Sequence, residues 1–88
     1  LIEWRAENGE ALCKIGPYRL HASKSLERDR APGKEFDARV WRNGASVAME
    51  TEYESVEVAK LKCIDLMRKV LRDELALMAY VERALSQL

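Results

Sequence analysis

Residues 55–88 read SVEVAKLKCIDLMRKVLRDELALMAYVERALSQL, a stretch with no glycine and no proline. All four glycines and both prolines of the 88-residue chain lie before residue 45. A chain without these breakers keeps its helical hydrogen bonds along its whole length, whereas the glycines and prolines mark turns between extended segments. The sequence therefore divides into a strand-and-turn region over residues 1–51 and one long helix over residues 55–88. The Ser55 hydroxyl is placed to cap the first-turn amides, with Glu54 and Glu57 near the positive end of the helix dipole.

The helix carries two different apolar patterns. Val56, Ala59, Cys63, Leu66, Met67, Val70 and Leu71 form a broad stripe suited to covering a sheet, and Lys60, Lys62, Asp65, Arg68, Lys69 and Arg72 form the solvated side. Further along, Met67, Leu71, Glu74, Met78, Val81, Leu85 and Leu88 follow a 4-3 spacing with one charged position. Leu75, Leu77, Tyr80 and Ala84 widen that seam. A helix of roughly 33 residues is about 50 Å long, while strands of about six residues span roughly 20 Å, so the sheet covers about half of it. Each large side chain left wet forfeits about 1.5–3 kcal/mol. A second copy of the chain, meeting at Leu71, Leu75, Met78, Val81, Leu85 and Leu88, is the simplest cover for the rest. The competing arrangement is a break near Arg72-Asp73-Glu74 with the last segment folded back as a helical hairpin.

Upstream of the helix, the clearest hairpin is Phe36–Arg42, Asn43-Gly44, Ala45–Thr51. A two-residue type I′ turn there pairs Arg42 with Ala45, Val40 with Val47 and Ala38 with Met49. Phe36, Ala38, Val40, Val47 and Met49 then share the apolar face. Asp37, Arg39, Trp41, Ser46, Ala48 and Glu50 take the other. Tyr18, Leu20 and Ala22 share one face of a preceding strand, with Arg19, His21 and Ser23 opposite. Ala11–Ile15 is extended, Gly16-Pro17 punctuates it, and Asn8-Gly9 is a turn pair after a short edge strand carrying Ile2, Trp4 and Ala6. Residues 24–35, with Lys24, Arg28, Arg30 and Lys34 interleaved with acids, read as a mobile surface loop. The expected fold is a single α+β domain over residues 1–88, a small antiparallel sheet of about three to four strands packed against one long C-terminal helix.

Composition narrows the function. The chain is 48% hydrophobic and 34% charged with a formal net charge of zero, which is ordinary globular composition and gives no strong mandate for nucleic acid. Cys13 and Cys63 stand in no metal-like spacing, so both are expected to be reduced thiols of a cytoplasmic protein, with no metal and no cofactor. No apolar run approaches the ~20 residues needed to cross a bilayer, and no signal-peptide pattern is visible. His21 is the one histidine, and neither cysteine has the histidine and glycine-rich turn of a thiol nucleophile. No enzyme is expected. The most suggestive surface is the outer sheet face, where Arg19, His21, Arg39 and Trp41 suit either a protein hot spot or phosphate contacts with base stacking. The plainer reading packs Trp41 against Trp4 and leaves the arginines merely solvated.

The order Tyr18-Arg19-Leu20, a polar loop, Phe36–Trp41, Asn43-Gly44 and then Ser55–Lys60 opening a helix resembles the layout of many small phage and prophage proteins of unassigned function. It is similar, at greater distance, to the strand-strand-strand-helix domains with which phage integrases read DNA. Those domains are generally basic, whereas this chain is neutral. The resemblance implies an accessory protein or a host-directed inhibitor. The residues themselves lead first to a self-associating, non-catalytic protein-interaction module, and second to a nucleic-acid-binding module that uses the outer sheet face.

Overall fold

The computed structural model describes residues 3–25 and 32–88. Five strands precede one helix: β1 (Arg5–Glu7), β2 (Glu10–Ile15), β3 (Tyr18–Lys24), β4 (Phe36–Arg42), β5 (Ala45–Tyr53) and α1 (Val56–Leu85). The strands form one antiparallel meander in chain order. This is the expected α+β arrangement with one or two strands more than anticipated, because all five extended segments join the one sheet. Asn8 and Gly9 have φ of 51° and 77°, and Asn43 and Gly44 have 49° and 82°. These are the left-handed conformations that a type I′ turn requires. Between β2 and β3, Gly16 at φ 56° precedes Pro17, which suits a type II′ turn. The amide of Asn43 donates to the Pro17 carbonyl at 3.0 Å and ties two neighbouring turns together.

One face of the sheet carries Ala11, Cys13, Tyr18, Leu20, Ala22, Ala38 and Val40, all buried against Ala59, Cys63, Leu66 and Met67 of α1. The small residues matter as much as the large ones. Ala22, Ala38, Ala59 and Cys63 have no exposed surface, and their short side chains let the helix settle close enough for Leu20 and Val40 to fill the remaining space. Trp4, Phe36, Tyr53, Val56 and Val70 close the margins. Trp4 lies on this helix side, with the Lys60 ammonium 5.4 Å from its ring centre. It therefore does not meet Trp41.

The register of the last hairpin corrects the sequence-based expectation. Arg42 does pair with Ala45, but Val40 pairs with Ala48 and Ala38 with Glu50. Val47 is an extra residue in the turn-proximal half of β5, and a second irregularity before Tyr53 restores the original parity. A bulge shifts the strand by one residue and exchanges its faces. Hence Ala48, not Val47, lies over the core, and Met49 moves to the outer face opposite Arg39. Glu52, at φ 71°, absorbs the second irregularity. The first strand is also shorter than expected, and Ile2 lies outside the described residues, as do Arg28 and Arg30 of the charged loop. Lys24 belongs to β3, paired with Phe36, and the loop is pinched at its base by the Ser25 amide donating to the Glu35 carbonyl at 2.7 Å.

The helix is continuous through Arg72-Asp73-Glu74. Ser55 caps it, its Oγ accepting from the Val58 amide at 3.2 Å, with Glu57 in the first turn and Arg83 in the last. Its 30 residues measure about 45 Å, which accounts for most of the molecule's 54 Å long axis.

Two stability outcomes follow from this packing. Leu20→Ala is expected to lower unfolding free energy by about 2–5 kcal/mol, since the cavity lies under a close-packed helix, while Leu61→Ala, on the solvent side of α1, changes it by about 0.5 kcal/mol or less. Glu52→Gly removes a side chain from a left-handed position and is expected to raise stability by up to about 1 kcal/mol. Urea unfolding followed by circular dichroism reads both, and equal losses for the two leucines would contradict the core assignment.

Candidate interaction surfaces

Two surfaces lie on opposite sides of the molecule. The first begins where the helix leaves the sheet. At that point the Tyr18 hydroxyl donates to Glu74 Oε2 at 2.5 Å, and Arg42 Nη1 donates to Glu74 Oε1 at 3.2 Å. Arg42 also lies over the Tyr18 ring, 5.8 Å from its centre. Glu74, the one charged position in the 4-3 seam, is thus the last side chain of the helix held by the sheet. It stands in register with Met67, which is buried under the sheet, and Met78, which is 62% exposed. The apolar face of the helix has not changed direction; the sheet beneath it has ended.

Beyond Glu74 every residue of α1 is exposed. Leu75, Leu77, Met78, Tyr80, Val81 and Leu85 are all open to solvent, as is Leu88 past the helix end. Residues 75–81 are seven consecutive apolar residues, so the helix is apolar on every side there. Leu71, which belongs to both the sheet-covering stripe and the 4-3 seam, is 42% exposed and so goes with the uncovered seam. A groove of about 240 Å³ beside β5 is lined by Val47, Val70, Asp73, Glu74 and Leu77. The exposed valine of the β5 bulge thereby extends the apolar surface of the helix.

The second surface is the outer sheet face, ordered in rows by strand register. Lys14, Arg19, Trp41 and Ser46 stand in one row, and Arg5, Leu12, His21, Arg39 and Met49 in the next. Beyond them lie Glu7 opposite Glu10, and Ser23 opposite Asp37. The face is therefore basic at the turn end and acidic at the other. Arg19 and Arg39 place their guanidinium carbons 5.5 and 5.1 Å from the Trp41 ring centre. Arg39 Nη2 also donates to Met49 Sδ at 2.6 Å. The Trp41 Nε1 is buried and has no partner.

All four residues expected on this face, Arg19, His21, Arg39 and Trp41, are on it: His21 pairs across the strands with Arg39 and Arg19 with Trp41, and both arginines lie over the indole. His21 Nε2 is 2.9 Å from Glu10 Oε2, which draws it toward the acidic end. Arg5 and Lys14 were missed by sequence reasoning, although a two-residue turn at Gly16-Pro17 already implies that Lys14 faces Arg19. Three depressions adjoin these cations: one of about 320 Å³ lined by Trp41 and the two turns, one of about 420 Å³ lined by Glu3, Arg5, Leu12, Lys14 and Arg19, and one of about 220 Å³ in which Arg19 shares the lining with Glu7, Glu10, Leu12 and His21.

Reactive groups are distributed differently. Cys13 and Cys63 are free thiols buried in the core. Burial pushes both thiols above the usual range, and the Cys63 thiol donates to the His21 carbonyl at 3.4 Å. A buried neutral thiol is a packing group. Among the described residues, no three His, Cys, Asp or Glu side chains gather in a metal-binding arrangement, and no helix is long and apolar enough to cross a membrane. Comparison with protein-family models, curated proteins and solved structures yields no match.

The two tyrosine–carboxylate pairs set a pH response. Tyr18 is raised above its ordinary value chiefly by its hydrogen bond to Glu74. Tyr53, by burial and then by its hydrogen bond to Glu50, is pushed up to about 12. Both phenols keep their protons in the folded chain at pH values where the unfolded chain loses them, so their contribution is complete below about pH 10 and is lost as pH rises above it. The melting temperature should therefore fall from about pH 10 upward, and the fall should be shallower in a Tyr18→Phe/Tyr53→Phe double variant. An identical slope in the two proteins would dismiss this linkage.

Proposed function

We propose that this chain is a non-catalytic protein-interaction module that self-associates through the distal part of α1. The exposure of Leu75, Met78 and Leu85, at 63%, 62% and 60%, on a helix apolar all round is the observation that carries the reading. A helix of that kind is stable in water only when something packs on it. The seven large side chains of this segment present on the order of 800 Å², which is what each partner contributes to a standard stable interface and exceeds the largest apolar patch of most monomers.

A second copy fits the requirement without further components. A two-fold axis near Met78 sets the two projecting helices antiparallel, so that Met78, Val81 and Leu85 of each meet the other. The end of each projecting helix then approaches the partner's groove beside β5, where Val47 and Leu77 are exposed. Burying these side chains contributes roughly 1.5–3 kcal/mol each against an association cost of about 4–15 kcal/mol, enough for a dimer at micromolar concentration or below.

Light scattering coupled to size exclusion should give twice the chain mass. The Met78→Glu/Val81→Glu/Leu85→Glu variant should give the monomer mass with its helical circular dichroism kept, because these residues touch nothing in their own core. A wild-type monomer at about 100 μM, or a dimer indifferent to the three charges, would remove the proposal.

A further inference from the structure

The basic end of the outer sheet face contains a local arrangement that the fold itself does not require. Lys14 and Arg19 are direct cross-strand partners, and like charges so placed destabilise a hairpin. Arg5 stands in the adjoining row. Among the described residues, none of these three cations has a carboxylate within ion-pair distance. The acids of the same face lie in the rows beyond His21, apart from Glu3 at the rim of the larger depression. An anion laid along Arg5, Lys14 and Arg19 would relieve the repulsion that the strand pairing imposes.

Trp41 decides what kind of anion. It shares the row of Lys14 and Arg19, and Arg19 lies over its ring at 5.5 Å. A guanidinium stacked on an indole keeps its N–H edge turned outward, where it suits a phosphate. The half-buried ring floors the neighbouring depression between the Gly16-Pro17 and Asn43-Gly44 turns, and an aromatic surface beside a cationic track is how a flexible polyanion with planar bases is held. An acidic peptide has the charge but no group that needs the ring. Duplex DNA is a poor fit as well: five strands at about 4.8 Å are roughly 19 Å across, wider than the ~12 Å major groove. We propose that Arg5, Lys14, Arg19 and Trp41 form a binding track for single-stranded nucleic acid running across the strands, with phosphates on the three cations and a base in the depression over Trp41.

This track lies on the side of the sheet away from α1, so it is independent of self-association. The test is fluorescence anisotropy of labelled oligothymidylate and oligouridylate of about 20 nucleotides, a matched duplex, and unlabelled polyglutamate as competitor. Three phosphate contacts on a single strand imply a logarithmic salt slope of about −2, so affinity should fall roughly 20-fold between about 50 and 200 mM salt. Arg19→Glu should abolish binding while leaving the chain folded, since it turns the like-charge pair with Lys14 into an attractive one. Trp41→Ala should weaken binding about five-fold or more. The charged distal-helix variant should retain the site in each chain. Absence of binding at about 50 mM salt, or preference for the duplex, overturns the proposal. Equal competition by polyglutamate with Trp41→Ala unaffected also overturns it, and assigns the track to an acidic protein segment.

Discussion

Ala22, Ala38 and Ala59, none with exposed surface, set the separation at which α1 lies on the sheet. Larger residues at these positions would lift the helix and open voids around Leu20, Val40 and Cys63, and a core this small has few other contacts with which to compensate. The close approach also explains why both cysteines are buried as small packing groups with their thiols neutral. It fixes the helix axis over β3 and β4, displaced from the centre of the sheet toward β5. Everything else in the molecule is positioned relative to that contact.

With the axis fixed, helix length becomes decisive. The sheet ends at the row of Tyr18 and Arg42, where Glu74 is held by both. A carboxylate in an otherwise apolar seam is explained by that position. It accepts two hydrogen bonds from the sheet margin and marks the change from a covered helix face to an exposed one. The residues after it continue the same apolar face with nothing of their own chain beneath.

The edges of the sheet are treated differently from its centre. β1 is three residues long and charged at both ends, and β5 carries two irregularities in nine residues. Short, charged or bulged edges resist pairing with strands of other molecules. The outer face is left open, polarised from basic at the turns to acidic at the far end.

The sequence by itself determined the elements and most of their pairing. The segregation of glycine and proline before residue 45 separated sheet from helix, Asn8-Gly9 and Asn43-Gly44 placed two turns, and the alternation of Tyr18, Leu20 and Ala22 identified the buried face. Local steric preference and side-chain period are properties of short segments, so they are legible without the fold. Tertiary structure alone decided the faces of β5, because a single extra residue at Val47 inverts them and nothing in the local pattern of Ala45–Thr51 announces it. It alone set His21 beside Glu10 and joined Arg5 and Lys14 to Arg19, since these relations depend on which strands are neighbours and on the acids they bring. It also decided where α1 runs out of sheet, a matter of two lengths meeting in space.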